Sequence, residues 1–238
     1  MFEGAGEIWR LCREKDWRHS ALGHVESWPE SLRTTAELVL ACSFPMVVLW
    51  GPDLVQIYND GYAPILGAKH PWGLGIPTKE CWPEAWDFNE PIYRRVFAGE
   101  TVSFEDQLYR LLRRGPDQPA DDVYITLSYS PVRSASGEIG GVLVTLLETT
   151  ARVTSRRLEA ERESMYRELE FERSRLGYVF ERSPSFLAVL HGPDYVVGMA
   201  NDAYLTLLGR LAPESASHFL VTPRTSQRRQ ARGAQDSP

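Results

Sequence analysis

A 25-residue pattern occurs twice in this chain, and it constrains the fold more than any other feature of the sequence. The first copy runs from Ser43 to Gly67 and the second from Ser183 to Gly209. In both copies a short apolar run precedes Gly-Pro-Asp, and Asn-Asp-x-Tyr precedes a Leu-Gly stop. The copies are offset by about 142 residues, which is too far for adjacent units of a solenoid. The repeat therefore indicates two copies of one domain.

The composition excludes several classes of protein. Of the 238 residues, 43% are hydrophobic and 24% are charged, as in soluble globular proteins, and the formal net charge of −6 argues against a nucleic-acid partner. The sequence has no apolar run long enough to span a membrane and no signal peptide. Cys12, Cys42 and Cys81 are spaced too widely for a disulfide framework or a zinc site. We therefore expect a cytoplasmic protein with reduced thiols.

Hydrophobic periodicity predicts the element order around the first copy. In order, it predicts a helix over 29–42, a tight hairpin from strands 46–50 and 54–58, and a short helix ending at Gly67. An irregular segment with one or two helical turns follows over 68–90, then a helix over 91–98 and strands over 101–113, 122–132 and 139–147. Two strands, then helices, then three strands indicate an α+β fold. We expect a five-stranded antiparallel sheet with helices on one face.

The second of the three long predicted strands, 122–132, shows the alternation most clearly. Apolar residues and one tyrosine share one face of strand 122–132, namely Val123, Ile125, Leu127 and Tyr129. The other face carries Tyr124, Thr126, Ser128 and Ser130. This period of two is typical of a half-buried strand.

Residues 150–176 contain no Gly or Pro and are rich in Arg and Glu, which predicts one long helix. Its apolar residues fall in two rows, Ala151, Leu158 and Met165 in one and Leu169 and Leu176 in the other. Ser155, Arg162 and Glu172 interrupt the rows. The pattern indicates a marginal parallel coiled coil and hence a homodimer. The alternative is a single solvated helix with ion pairs between successive turns.

Short sequence motifs spread over residues 17 to 155 resemble those of a known family. They are Phe44-Pro45-Met46, Trp50-Gly51-Pro52, Tyr58-Asn59-Asp60, His70-Pro71, Trp82-Pro83-Glu84-Ala85-Trp86, Gly99-Glu100, Ser128-Tyr129-Ser130-Pro131, Gly137, Gly141-Val142 and Glu148-Thr149-Thr150. Together they resemble the PAS domains at the N-termini of bacterial sensor histidine kinases. The resemblance implies a PAS fold, and Glu148-Thr149-Thr150 is similar to the junction through which PAS domains pass a signal to an output helix.

The resemblance implies five segments. These are an N-terminal extension (1–28), a PAS domain (29–149), a helical or coiled-coil linker (150–176), the start of a second PAS domain (177–210) and a tail (211–238). The tail is too poor in apolar residues to order itself. We expect that it arises from a shifted reading frame or a truncation, the alternative being a natural disordered tail.

Candidate site residues follow from the same resemblance. The tryptophans near His70 belong to the segment that covers the pocket in PAS domains, and the candidates for that pocket are Tyr58, Asn59, His70, Trp72, Trp82, Trp86, Tyr124 and Ser128. The alternative is that these aromatic residues fill the core. The candidates for signal relay are Glu148, Thr149, Thr150, Leu158, Met165 and Leu169.

We expect no catalytic residues, no metal and no cofactor. The 150–176 helix contains no His to accept a phosphate, no Gly-rich nucleotide loop is present, and the histidines lack metal-ligand spacing. The predicted helix over 91–98 lacks the proximal His of haem-binding PAS domains. Cys81 lies in Glu80-Cys81-Trp82-Pro83 rather than in the Asn-Cys-Arg-Phe word of flavin-binding light sensors.

The resulting functional expectation is a regulatory module of bacterial two-component signalling. A small molecule or a partner changes the PAS domain, and a dimeric helix passes that change to a histidine kinase core or a response-regulator pathway. The alternative is a PAS protein without a ligand, which dimerises or binds partners through its sheet.

Overall fold

A computed structural model describes residues 2–211, so the predicted disordered tail lies almost wholly outside the described residues. The chain divides into two units, Met1–Glu159 and Ala160–Pro238. Each unit is built around one copy of the repeat.

The first unit contains five complete α-helices and five strands among its described residues. The helices are α1 (Glu7–Glu14), α2 (Glu30–Ala41), α3 (Ala63–Leu66), α4 (Thr78–Cys81) and α5 (Pro83–Phe97), and the strands are β1 (Met46–Trp50), β2 (Val55–Tyr58), β3 (Val102–Leu111), β4 (Asp121–Arg133) and β5 (Ile139–Glu148). The strands form one antiparallel sheet in the order β2-β1-β5-β4-β3. The predicted α+β class and the five-stranded antiparallel sheet are confirmed.

Helices cover the sheet differently at its two ends. In β4 the buried residues are Val123, Ile125, Leu127 and Tyr129, and α5 contacts this strand together with β3 and β5. Every residue of β1 and β2 is buried, so both faces are covered there, because successive side chains point to opposite faces. Helix α2 contacts β1 and β2. The prediction that helices cover only one face of the sheet therefore holds for β3–β5, whereas β1 and β2 are covered on both faces.

Helix α5 corrects the predicted helix over 91–98. It begins at Pro83, a favoured first position because the N–H that proline lacks would be unpaired there anyway. Pro91 consequently lies inside the helix, where it removes the hydrogen bond to the carbonyl of Asp87. Asp87 is exposed, so water can satisfy that carbonyl. The segment 68–90, predicted to be irregular apart from one or two helical turns, thus contains α4 and the first half of α5.

Residues 2–28 pack into the core of the first unit. Phe2, Trp17 and Trp28 form an aromatic cluster, with Trp17 and Trp28 perpendicular at 4.9 Å between ring centroids. The Asp60 carboxylate accepts the backbone N–H of Ile8 at 2.9 Å and so caps the start of α1.

A long helix and a small hairpin follow. Helix α6 spans Thr150–Arg182 and continues past the predicted end at Leu176, because Gly177 is tolerated within a helix at a modest cost. Strands β6 (Ala188–His191) and β7 (Val196–Ala200) pair antiparallel, and α7 (Asp202–Leu211) follows. This order repeats β1, β2 and α3, as the sequence repeat predicts.

Candidate ligand cavity and signal junction

A cavity of about 60 Å³ lies between the sheet and the helices α3–α5. The sheet contributes mainly apolar side chains, which are Val47, Leu49, Leu111, Ile125, Leu127, Val144 and Leu146, and the helical side contributes Ile65 and Ala85. The remaining lining residues are neutral polar or aromatic, namely Tyr62, Thr78, Trp82, Asn89, Tyr93, Tyr109 and Tyr129. A mostly apolar wall with a few convergent polar groups is typical of a small-molecule site.

Asn89, Tyr109 and Tyr129 form a buried polar cluster at this cavity. The hydroxyls of Tyr109 and Tyr129 lie 3.0 and 2.9 Å from Asn89 Oδ1, and 3.0 Å from each other. Burial raises the pKa of Tyr109 to about 12 and holds the pKa of Tyr129 well above its ordinary value. Both phenols therefore stay protonated at neutral pH.

Trp82 forms another part of the cavity wall. The indole Nε1 of Trp82 is buried without a hydrogen bond of good geometry. Burial raises the pKa of Tyr62, and Trp82 lies close enough to the Tyr62 hydroxyl to oppose that rise in part. Behind the indole, Lys69 Nζ lies 4.0 Å from the ring centroid. Lys69 also donates to the Cys81 carbonyl at 2.7 Å and pairs with Glu84 at 2.5 Å. The Lys69 ammonium therefore contacts both the Glu84 carboxylate and the face of the Trp82 indole.

Of the eight predicted pocket residues, Trp82 alone lines this cavity. Trp86 packs beside it against Tyr93, with ring centroids 6.0 Å apart. The Tyr58 hydroxyl instead lies 2.9 Å from His70 Nδ1, and His70 Nε2 lies 3.7 Å from the Glu7 carboxylate of α1. Trp72 is exposed and borders a surface cleft with Glu84 and Leu112. The predicted residues are therefore divided among several places in the domain.

Tyr124 and Ser128 lie on the opposite face of β4 from the cavity, because the alternation of a strand separates them from Ile125, Leu127 and Tyr129. The Tyr124 backbone N–H donates to Thr150 Oγ1 at 3.0 Å. Ser128 borders a groove on the outer surface of the sheet. Neither residue can contribute to the cavity without a change of strand register.

Asn59 ties the chain together rather than lining the cavity. Its Oδ1 accepts the backbone N–H groups of Met46 and Tyr62, and its Nδ2 donates to the carbonyls of Cys42 and Phe44. In the second unit Asn201 accepts from Leu187 and Tyr204 and donates to Phe180, Ser183 and Ser185. The repeated Asn is thus a clip that joins the segment before each hairpin to the helix after it.

Sequence reasoning missed the polar residues of the cavity. Tyr129 carried a signal, because it is the one side chain with a hydroxyl on the apolar face of its strand. Asn89 lay within the segment interpreted as irregular, so its position on an inward helical face could not be predicted. Tyr109 follows a bulge in β3 between Phe104 and Gln107, which shifts the alternation from which its face would be predicted.

The predicted relay residues Glu148, Thr149 and Thr150 lie where the sheet meets α6. Glu148 pairs with Arg113 at 2.8 Å, and the Thr149 hydroxyl donates to the Asp106 carboxylate at 2.6 Å. Thr150 accepts the backbone N–H of Tyr124. The other three relay candidates, Leu158, Met165 and Leu169, are exposed along α6. The first three therefore form the junction, and the last three belong to the helix beyond it.

Asp106 was not predicted, and it holds the start of α6. It lies in the β3 bulge with a φ of 50°, a conformation that Asp tolerates better than most residues. Its Oδ1 accepts from Thr149 and from Arg152 Nη2, both at 2.6 Å. The Thr149 hydrogen bond, followed by that of Arg152, lowers the pKa of this carboxyl. The contact is therefore present above the ordinary range of a carboxyl pKa and is lost as the pH falls through the lowered value.

Replacing Asp106 with Asn is expected to loosen the first turn of α6, because Asn keeps the backbone preference but removes the charge that holds Arg152. Amide exchange at 150–153 should become several-fold faster at neutral pH. In the unmodified protein, acidification should lower the protection factors of the same amides, once the slower intrinsic exchange at low pH is taken into account. Hydrogen exchange followed by NMR measures both. Glu105→Gln, an exposed neighbour in the same strand, is the control, and equal exchange in both variants would contradict the role of Asp106.

The described residues contain no group of three or more His, Cys, Asp and Glu side chains that could hold a metal ion. Among the helices of the described part of the chain, none is long and apolar enough to cross a membrane.

Comparisons with known proteins agree with this architecture. Residues 43–154 match the family model for the PAS fold. With the five-stranded sheet described above, that match shows that this part of the chain has the PAS fold. A comparison with curated proteins gave no match.

Several solved structures are similar to the chain. An RNA-binding light-oxygen-voltage receptor is 19% identical over 62% of this chain and 41% of its own, with a TM-score of 0.40. The PAS domain of BvgS from Bordetella pertussis is 20% identical over 57% of this chain and 98% of its own, with a TM-score of 0.41. A sensory box sensor histidine kinase from Vibrio cholerae is 19% identical over 50% and 89%, with a TM-score of 0.34.

Proposed function

We propose that this chain is a sensory and regulatory module of bacterial two-component signalling. A small molecule in the cavity, or a bound partner, changes the PAS domain, and α6 carries the change to a histidine kinase core or a response-regulator pathway. One observation carries the proposal, which is that β3 contributes to both sites. Tyr109 and Leu111 of β3 line the cavity, and Asp106 of the same strand holds Thr149 and Arg152. A displacement of β3 by a ligand therefore acts on the start of α6.

A dimer of α6 is the proposed output. Leu158, Met165, Leu169 and Leu176 are between 63 and 71% exposed, which is unusual for a row of large apolar side chains. Arg162 and Glu172 interrupt the row and weaken the seam. A weak seam suits a switch, because a modest difference in ligand affinity between two states can then shift the equilibrium.

We assign no catalytic role and no haem or covalent flavin to this chain. The cavity of about 60 Å³ is far smaller than the roughly 300–1,000 Å³ of pockets for larger ligands. Burial raises the pKa of Cys81 to about 11, so its thiol stays protonated and is a poor nucleophile. The three unpaired cysteines suit a reducing compartment, and we propose the cytoplasm.

Replacing Leu158 and Leu169 together with alanine is expected to weaken the dimer by at least about 100-fold, because each protomer loses two large apolar side chains from the seam. Sedimentation equilibrium over a range of concentrations measures the dissociation constant. Phe171→Ala is the matched control, since Phe171 is an exposed apolar residue of α6 outside both rows. An unchanged dissociation constant in the double variant would contradict dimerisation through α6.

A second candidate function rests on the outer surface of the sheet. Phe44 and Leu147, which are 69 and 52% exposed, border a groove of about 790 Å³ together with Phe104 and Met46. Apolar side chains of this size at a strand surface suit dimerisation or partner binding without a ligand. This function is favoured if the double variant in α6 stays dimeric and Leu147→Glu separates the protomers.

A further inference from the structure

The chemistry of the cavity wall defines the class of ligand, on the premise that the cavity is the sensory site proposed above. None of the residues lining it is Asp, Glu, Lys, Arg or His. A charged ligand would lose its hydration there without gaining a counter-ion, which is strongly unfavourable. We infer that the cavity takes a small uncharged molecule that carries both an oxygen acceptor and an N–H or O–H donor, such as a short amide or an α-hydroxy ketone.

The size of the cavity limits the ligand to a few non-hydrogen atoms. One water needs about 10–15 Å³ measured in this way, and a cavity of about 150 Å³ admits benzene. The present cavity of about 60 Å³ lies between these values. Molecules of about four non-hydrogen atoms therefore match the space with little rearrangement.

The position of Trp82 is the reason to expect an oxygen acceptor on the ligand. The side chain is 94% buried, and its indole N–H has no hydrogen bond of good geometry in the described part of the chain. An unpaired buried donor is unfavourable, and the large majority of such groups in proteins have a partner. A ligand oxygen that accepts this N–H, after a small adjustment of the indole, removes the deficit.

The cluster of Asn89, Tyr109 and Tyr129 is the reason to expect a hydrogen-bond donor on the ligand. Three oxygens lie within 3.0 Å of one another, and the two tyrosines provide two protons for these three contacts. Each hydroxyl oxygen can accept as well as donate, so lone pairs remain after both protons are used. A ligand N–H or O–H can therefore be accepted at this end of the cavity.

Three probes of equal size test the inference with the whole chain. Acetamide has the acceptor and the donor, acetone has the acceptor alone, and acetate is charged. Each is titrated into ¹⁵N-labelled protein while the indole N–H signals are followed by NMR. We expect acetamide to shift the Trp82 signal saturably, with a dissociation constant on the order of millimolar, at least about fivefold tighter than acetone. Acetate is expected to leave that signal unchanged.

The protein contains its own controls. Trp17 donates to the Cys12 carbonyl at 2.8 Å and Trp28 to the Gly23 carbonyl at 3.2 Å, so both indole signals should stay in place. Trp82→Phe removes the unpaired donor and assigns the signal, and it should weaken acetamide binding at least about tenfold, as followed by the backbone amide signals of the residues that line the cavity. Tyr129→Phe should abolish the preference for acetamide over acetone while acetone still binds.

The outcomes separate this inference from the proposed function. Binding of acetate equal to or tighter than that of acetamide would overturn the ligand class and leave the sensory function standing. Equal binding of acetone and acetamide would overturn the requirement for a donor. If no probe moves the Trp82 signal, the inference is wrong, and exchange at 150–153 then tests independently whether a partner rather than a ligand acts on α6.

Discussion

Replacing Asn59 with alanine is expected to lower the free energy of unfolding of the PAS domain by about 4 kcal/mol. The side chain is 1% exposed and makes four hydrogen bonds, two to backbone N–H groups and two to backbone carbonyls. Alanine leaves all four backbone groups without this partner, and each such loss costs about 1–3 kcal/mol where water cannot enter. The estimate lies near the lower end because water reaches part of the loop around Phe44.

The second copy of the repeat provides a matched control for Asn59. Asn201 makes equivalent contacts in the other unit, so Asn201→Ala should leave the unfolding transition of the PAS domain unchanged. Urea denaturation followed by circular dichroism measures both variants. Asn59→Asp keeps the acceptor but places a carboxylate oxygen against the carbonyl oxygens of Cys42 and Phe44, so it should be at least as destabilising as alanine. A loss below about 1 kcal/mol in Asn59→Ala, together with loss of acetamide binding, would restore the predicted role of Asn59 in the pocket.

The hydrogen bonds of Asn59 and Asn201 explain why the sequence repeat predicted the fold much better than it predicted the ligand cavity. Asn-Asp-x-Tyr recurs because each copy must join a hairpin to a helix, and Asn59 and Asn201 do this with the same atoms. A repeated sequence motif therefore indicates residues that the fold requires, whereas the ligand site of one copy need not recur in the other. The recurrence of this Asn in both copies therefore supports a structural role for Asn59.

Strand boundaries followed from the sequence, and the cavity did not, for a physical reason. The alternation of Val123, Ile125, Leu127 and Tyr129 is a local property of β4, so one strand is enough to reveal it. The cavity instead requires that Asn89 of α5 meet two tyrosines from different strands. That meeting depends on where α5 begins, and Pro91 was interpreted as the start of a helix that begins at Pro83. An error of eight residues at one boundary thus hid the polar end of the cavity.

Replacing Lys69 with methionine is expected to lower the free energy of unfolding by about 3–5 kcal/mol. The side chains of Lys69 and Glu84 are 10 and 13% exposed, so water screens this pair much less than it screens a surface ion pair. Methionine fills similar space but leaves the Glu84 charge without its counter-ion. Within the described part of the chain, Glu84 then keeps the Leu112 N–H as its one donor, and its Oε2 already has no partner. The indole of Trp82 also loses the cation 4.0 Å from its ring.

Two further variants test whether the unpaired charge causes this loss. Lys79 is an exposed lysine 5.1 Å from the ring centroid of Trp86, and Lys79→Met should change the free energy of unfolding by no more than about 0.5 kcal/mol. Combining Lys69→Met with Glu84→Gln removes the unpaired charge of Glu84 and keeps an acceptor for the Leu112 N–H. The double variant should therefore be more stable than Lys69→Met alone. Urea denaturation followed by circular dichroism compares the three proteins without relying on the fluorescence of Trp82. If Lys69→Met is no more destabilising than Lys79→Met, or if the double variant is the least stable, the ion pair does not hold Trp82 at the cavity wall.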